Sequence, residues 1–249
     1  ESGILKREEP IVQELANEYL TEQGITILND VTLNSVSNDG NKPVITANGQ
    51  NYTFDAVLYA TGRKPNTANI GLENTDITTN ERGAIVVNDT CESSVPSVYA
   101  VGDVNGGPQF TYISLDDFRI VFGALTGNGQ YTLKDRKNIP YTTFLTPPLA
   151  RVGLTEEDAI NKGYTVKTKE MLVATMPRAH VNDYLKGAFK IVVNAENNLI
   201  LGATLYSQGA EELINLIKMA MDNNIPYTYF KNQIFTHPTM AENLNDLCN

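Results

Sequence analysis

An α/β region followed by an α+β region is the fold class this chain predicts, and three observations predict it. First, a helical pattern, a short strand, a β-meander and an apolar run follow one another through the first sixty or so residues. Second, the apolar stretch "VYAVGD" (Val98 to Asp103) ends on Gly-Asp and precedes a long helical segment. Third, two β-rich runs in "GAFKIVVNAENNLILGATLYS" form a hairpin, followed by an amphipathic helix in "GAEELINLIKMAMDNN".

The elements can be taken in order. In "EPIVQELANEYLTEQG" the apolar residues Ile11, Leu15, Ala16, Tyr19 and Leu20 recur at helical spacing, and Gly24 supplies the C-terminal stop. "ITILND" reads as a short strand. "VTLNSVSNDGNKPVITANGQNYTF" reads as a meander with turns at "NDGN" and "NGQN". "DAVLYAT" is an apolar run between turn residues, which predicts a buried strand. This order is that of the back half of a nucleotide-binding α/β domain. No G-x-G-x-x-G occurs in the chain, although such a domain carries that turn where backbone N–H groups meet a pyrophosphate. The expectation is therefore a truncated chain.

Further on, "VYAVGD" predicts a strand that delivers Asp103 at its C-terminal end, where open α/β sheets contact ligands. Gly102 permits close approach of backbone to a ligand. The next helix is expected to begin between Thr111 and Ser114 and to run through "LDDFRIVFGALTG". From Ile139 onward an extended segment leads to a helix capped by Thr155, with acidic residues in its first turn. In the helix of the third region, Leu213, Ile214, Ile217, Ala220 and Met221 share one face. Met219 and Met221 are read as core or interface contacts, and no metal site is expected.

Composition narrows the function. A net charge of -10 over 249 residues argues against nucleic acid and anionic membranes as partners. No apolar run is long enough to span a bilayer, and "ESGILKREEP" lacks the apolar core of a signal peptide. Cys91 and Cys248 are the only cysteines, far apart, which excludes a cysteine-rich metal site and fits a reducing, cytoplasmic compartment.

Three motifs carry a resemblance. "ATGRKPN" (Ala60 to Asn66) resembles the loop that closes the NAD domain of flavoprotein disulfide reductases. "VYAVGDVNGGPQFTY" (Val98 to Tyr112) resembles their second FAD-binding motif. "IFTHPTMAENL" (Ile234 to Leu244) resembles their catalytic His-Pro-Thr segment. The motifs stand in the family's order, so the chain resembles the C-terminal part of a class I flavoprotein (pyridine nucleotide-disulfide) oxidoreductase.

That resemblance implies three segments. Residues 1–66 would be the C-terminal half of the NAD(P)-binding domain, 67–137 the C-terminal segment of the FAD-binding domain, and 138–249 the antiparallel interface domain of a homodimer. It implies FAD contacts at Gly102, Asp103, Gln109, Phe110, Thr111 and Tyr112, with the helix N-terminus facing the flavin pyrimidine edge. It implies NAD contacts at Gly62, Arg63 and Glu1, the last favouring NADH over NADPH. A glycine-aspartate turn capping a helix and an ordinary interdomain turn are the plainer readings of the same residues.

By the same resemblance His237 acts as general acid/base toward a redox-active cysteine pair in the partner subunit. An unperturbed imidazole titrates near about pH 6.5 and so can both take and give a proton. Glu242 would hold one ring nitrogen and support the imidazolium, and the His237–Pro238 bond would be cis. Spacing alone would make a histidine near a glutamate a structural feature. His180, in "MPRAHV", lacks that context and is read as structural.

Within the family, the tail and "MPRAHVNDYLKGAFKIVV" most resemble the bacterial branch linked to resistance against reactive chlorine and hypothiocyanous acid, related to mercuric reductase. The intact enzyme would pass electrons from NAD(P)H through FAD to a cysteine disulfide and then to a small-molecule or disulfide substrate. This chain alone has no such pair, and is expected to be an inactive, colourless dimer. The alternatives are a non-catalytic dimerisation module, or a dihydrolipoamide dehydrogenase or mercuric reductase relative.

Overall fold

The structure, a computed structural model, describes residues 3–249. It divides into two compact units, one holding the chain through Ala56 together with Asn138–Asn249, the other Val57–Lys137.

The first unit opens with helix α1 (Pro10–Glu22). Proline at its first position has the φ a helix needs and lacks an N–H the helix could not have used. Gly24 follows its end at φ 82°. The meander is strand β1 (Leu33–Asp39), β2 (Lys42–Ala47) and β3 (Gln50–Thr53), antiparallel in that order. Its β2–β3 turn carries Asn48 and Gly49 both at positive φ, as a two-residue hairpin turn requires.

The second unit contains helix α2 (Thr111–Thr126), which starts within the predicted window, preceded by a short 3-10 turn at Gly102–Asn105.

Returning to the first unit, strands β4 (Tyr141–Thr143) and β5 (Leu149–Gly153) lead to helix α3 (Glu156–Asn161). Thr155 and Asp158 exchange side-chain and backbone hydrogen bonds at its start, the reciprocal box expected of that cap. Then come β6 (Val166–Leu172), α4 (Pro177–Val181), β7 (Ala188–Asn194), β8 (Ile200–Tyr206), α5 (Ala210–Asp222), α6 (Tyr227–Asn232) and α7 (Asn243–Leu247). The five strands form one antiparallel sheet in the order β4-β5-β8-β7-β6. The predicted hairpin is its centre, and every residue of β7 is buried.

Helix α5 lays Ala210, Leu213, Ile214, Ile217 and Ala220 into a core that also holds Phe189, Ile191 and Leu205 of the sheet and Leu244 and Leu247 of α7. Met221 packs against that core, whereas Met219 is largely exposed. Helix α1 contributes Val12, Ala16 and Tyr19 to a second cluster with Leu149 and Tyr206 of the sheet. The Tyr19 hydroxyl also accepts the Gly187 N–H at 2.9 Å.

The sheet is tight at Gly202. A Cβ there would collide with the Leu154 carbonyl oxygen and stand 2.6 Å from the Leu154 nitrogen, both backbone atoms. Gly202→Ala should therefore lower stability by about 1–3 kcal/mol, read from the urea midpoint. An unchanged midpoint would mean the strands part without cost.

Three strand expectations are corrected. Residues 25–30 and 55–61 form no strand, and Leu58 and Tyr59 are 88% and 80% exposed. "VYAV" has only an isolated bridge between Glu92 and Tyr99. An apolar run is a buried strand only if neighbours pair its edges and cover its faces, and none of the described residues pairs with 55–61.

Candidate active-site segment and cofactor cradle

The His-Pro-Thr segment runs between two anchored helices. Phe230 of α6 and Leu244 and Leu247 of α7 lie in the main core. Between them Phe235, Met240 and Ala241 pack partly against the same core. The loop is thus pinned by its apolar residues, while His237 faces outward with its side chain 68% exposed.

The side chains of His237 and Glu242 meet. The His237 Nδ1–H donates to Glu242 Oε2 at 2.7 Å, which fixes the neutral ring as the tautomer with Nε2 bare. The other carboxylate oxygen accepts the Thr239 N–H at 3.1 Å, and the Glu242 N–H donates back to Thr239 Oγ1 at 3.2 Å. The Thr239 hydroxyl in turn donates to the Thr236 carbonyl. The His237–Pro238 bond is cis, as is Thr146–Pro147. His180 sits on α4 with Nε2 at 2.8 Å from the Ala174 carbonyl oxygen, a structural contact.

Three contributors were not singled out from sequence. Thr239 and Glu242 stand at the Thr-x-x-Glu spacing of a capping box, a signal that was available. Asn243, 1% exposed, donates to the Thr239 and Met240 carbonyls. Asn245 reaches back to α6. Nothing local in the sequence marks either asparagine.

The Glu242 carboxyl lies below the ordinary glutamate range. Burial pushes it up, but the hydrogen bonds from His237 and from the Thr239 N–H, with the His237 charge, outweigh that. A depressed folded-state value adds stability that is whole above about pH 4.5, the ordinary value, and is lost as pH falls through the folded one. The carboxyl ¹³C signal should therefore titrate with a midpoint below 4.5, and Thr239 amide protection should fade over the same window. A midpoint at or above 4.5 would contradict this reading.

In the second unit, Asp117 is fully buried on α2 and organises the Gly-Asp turn. Its carboxylate accepts the Gly102 N–H at 2.7 Å and the Asn105 side-chain amide at 2.9 Å, and pairs with Arg136. Gly102 has φ +73°, which favours glycine, and a Cβ there would push against the Ser114 side chain, whose Oγ lies 2.5 Å away. Asp103 points outward, half exposed, with Arg63 NH1 3.7 Å from its Oδ2. Helix α2 begins at Thr111 without a capping side chain, and Phe110 and Tyr112 stack at 5.1 Å beside that end. Gln109 is half-buried in the same turn, and Gly62 adopts φ 123°. Glu1 lies outside the described residues. Among the described residues no group of His, Cys, Asp or Glu could hold a metal ion, and no helix is long and apolar enough to cross a membrane.

Residues 1–117 match the model of the pyridine nucleotide-disulphide oxidoreductases, and residues 139–248 match the model of that family's dimerisation domain. The chain belongs to the pyridine nucleotide-disulphide oxidoreductase family. It is 42% identical to the probable pyridine nucleotide-disulfide oxidoreductase RclA of Escherichia coli, over 99% of this chain and 56% of that protein. It is 36% identical to a mercuric reductase of Staphylococcus aureus, over 97% of this chain and 45% of that protein. The solved structure of the HOCl-induced flavoprotein disulfide reductase RclA from Escherichia coli superposes with a TM-score of 0.94, covering 98% of this chain and 56% of that one. The chain thus spans about half the length of these relatives. Its fold is accordingly parts of the family's nucleotide-binding α/β domains followed by the antiparallel dimerisation domain.

Proposed function

We propose that this chain is the C-terminal half of an FAD-dependent NAD(P)H:disulfide oxidoreductase, supplying its homodimer interface and its proton-transfer pair. The observation that carries the proposal is the His237–Glu242 hydrogen bond on an exposed ring held between anchored helices. The overall change would be NAD(P)H plus a proton plus a disulfide giving NAD(P)⁺ and two thiols. Bound FAD would supply the two-electron relay between the nicotinamide and the disulfide.

The chain's own residues have separate tasks. Nε2 of His237 gives a proton to a thiolate as it leaves, or takes one from a thiol, while Glu242 steadies the imidazolium. Asp103 would accept hydrogen bonds from ribityl hydroxyls, and Gly102 would let that ligand approach the backbone. The α2 N-terminus, with Gln109, Phe110, Thr111 and Tyr112, would favour negative charge at the flavin edge. Gly62 and Arg63 would line the nicotinamide side. The segments 1–66, 67–137 and 138–249 would derive from the NAD(P), FAD and interface domains. The substrate is inferred to be a small molecule or a disulfide, and the compartment cytoplasmic. Cys248, 2% exposed and pushed up to about 12 by burial, is unsuited to handing over mercury.

The test compares this chain with the same chain joined to its upstream coding sequence. The longer protein should be yellow and dimeric and should oxidise NAD(P)H with a disulfide acceptor, whereas this chain alone should be a colourless dimer. A longer protein that binds no flavin and turns nothing over would leave a dimerisation module as the better reading.

A further inference from the structure

We infer that Asn245 is the positioning residue of the His237–Glu242 pair, an inference that rests on the acid/base reading above. Helix α6 ends at Asn232, and a helix leaves its last carbonyls without intrahelical partners. The Phe230 carbonyl accepts the Gln233 N–H at 3.3 Å and, from the first turn of α7, the Asn245 side chain. Its amide nitrogen donates to the Phe230 carbonyl at 2.7 Å and to the Gln233 carbonyl at 2.9 Å, with the Lys231 carbonyl at 3.4 Å. Two N–H bonds thus serve the end of α6 and the first residue of the loop that leads to His237.

The same residue is tied to the other end of that loop. The Asn245 backbone N–H donates to the Glu242 carbonyl at 2.9 Å. One residue therefore closes the segment from Gln233 to Glu242 at its base, with His237 at its outer part. Inside the loop, the Thr239–Glu242 exchange and the Asn243 amide set the local turn. They fix Glu242 relative to Thr239 and, through the Thr239 hydroxyl, tie it to Thr236. Among the described residues, Asn245 adds the side-chain hydrogen bonds from α7 itself to the start of the entering segment, beside the packing of Phe230 and Phe235 against the core of Leu244 and Leu247. The hydrogen bond at 2.7 Å between His237 and Glu242 needs both strands of the loop in register, since the two residues sit on its two sides.

The discriminating variant is Asn245→Asp, which keeps the shape and replaces both donors with carboxylate oxygens facing carbonyl oxygens. Two signals are read on this chain at a pH where the imidazole is neutral. Two-bond and three-bond ¹H–¹⁵N correlations of the ring report the His237 tautomer, and only His180 need be distinguished from it. Hydrogen exchange reports the Thr239 amide. Asn245→Asp should shift His237 from the Nδ1–H tautomer toward the Nε2–H form. It should speed Thr239 amide exchange at least about tenfold, the change expected when roughly one hydrogen bond's worth of protection is lost. Amides of β7 and β8 should keep their protection, which a residue of merely structural importance would not spare. Asn245→Gln, which retains both donors one methylene further out, should recover part of both signals.

A folded Asn245→Asp chain with the wild-type tautomer and the wild-type Thr239 exchange overturns the inference. If Asn245→Asp does not fold, the smaller, uncharged Asn245→Ser is read in the same way. A chain that folds with neither makes Asn245 a residue of the fold and also overturns a local positioning role. Failure of the acid/base reading looks different: His237 variants of the longer protein would retain turnover while the tautomer result here stood.

Discussion

His237→Gln, introduced into the protein completed by its upstream half, is expected to lower disulfide-dependent NAD(P)H turnover by on the order of 10²–10⁴-fold, the usual worth of a positioned general acid/base. The ring is 68% exposed and makes its one hydrogen bond through Nδ1 to Glu242, so its removal disturbs no core contact. The variant should therefore stay folded, short only of the small stability that His237 adds through Glu242, and bind flavin as well. Glutamine can still hydrogen-bond but cannot carry a proton between pH 5 and 8. Glu242→Gln should be milder, because the ring stays in place while the charge that supports the imidazolium is gone. Its effect should show as a changed pH profile as well as a lower rate. Stopped-flow nicotinamide oxidation at saturating acceptor checks both, and a His237→Gln rate within threefold of wild type would remove His237 from the chemistry.

Lys190→Met should cost about 3–5 kcal/mol of folding stability, the range for removing one partner of a buried ion pair. Lys190 lies in the centre of the sheet with its side chain 5% exposed, and faces Glu9, which is 2% exposed, at 3.0 Å. Glu156 and Glu170 complete its shell at 2.7 and 2.9 Å. Burial pulls the ammonium down, but the hydrogen bonds and charges of the three carboxylates outweigh it and raise it above its ordinary value. A raised value gives stability that is whole below the unfolded pKa, near 10.5, and is lost only as pH rises through the folded one. Throughout the neutral range the lysine is thus charged, and Glu9 relies on it. Without Lys190 the buried Glu9 carboxylate loses the cation it faces. The double variant with Glu9→Gln should recover part of the loss. Urea unfolding of the four proteins at neutral pH checks this. A deficit that Glu9→Gln does not relieve would refute the pairing argument.

The elements that were legible in the sequence share one property. Their cause lies within a few residues. Thr155 and Asp158 close a cap three positions apart, Asn48 and Gly49 turn a hairpin, and the apolar spacing of α5 marks the face it buries. His237 and Glu242 could be singled out as candidates because they lie on one short loop whose motif is continuous in the chain. The Gly-Asp turn was half legible. Gly102 and Asp103 were read from the motif, but Asp117, which holds Gly102 in place, was seen only as part of a helix.

The runs at 25–30 and 55–61 are no strands for the opposite reason. Their apolar composition says that they should be covered, but a strand exists only as a pairing with another strand. The sequence by itself determined the turns, the caps, the amphipathic faces, the central hairpin and the His237–Glu242 spacing. Only the tertiary structure decided which charges lie together. Glu8 meets Arg151 at 3.4 Å, and Glu9 meets Lys190 deep in the sheet. Such contacts depend on how α1 docks on the sheet through Val12, Ala16, Tyr19, Leu149 and Tyr206. Burial then sets the strength of each charge pair, and burial is a property of the packed chain that no local pattern of residues encodes.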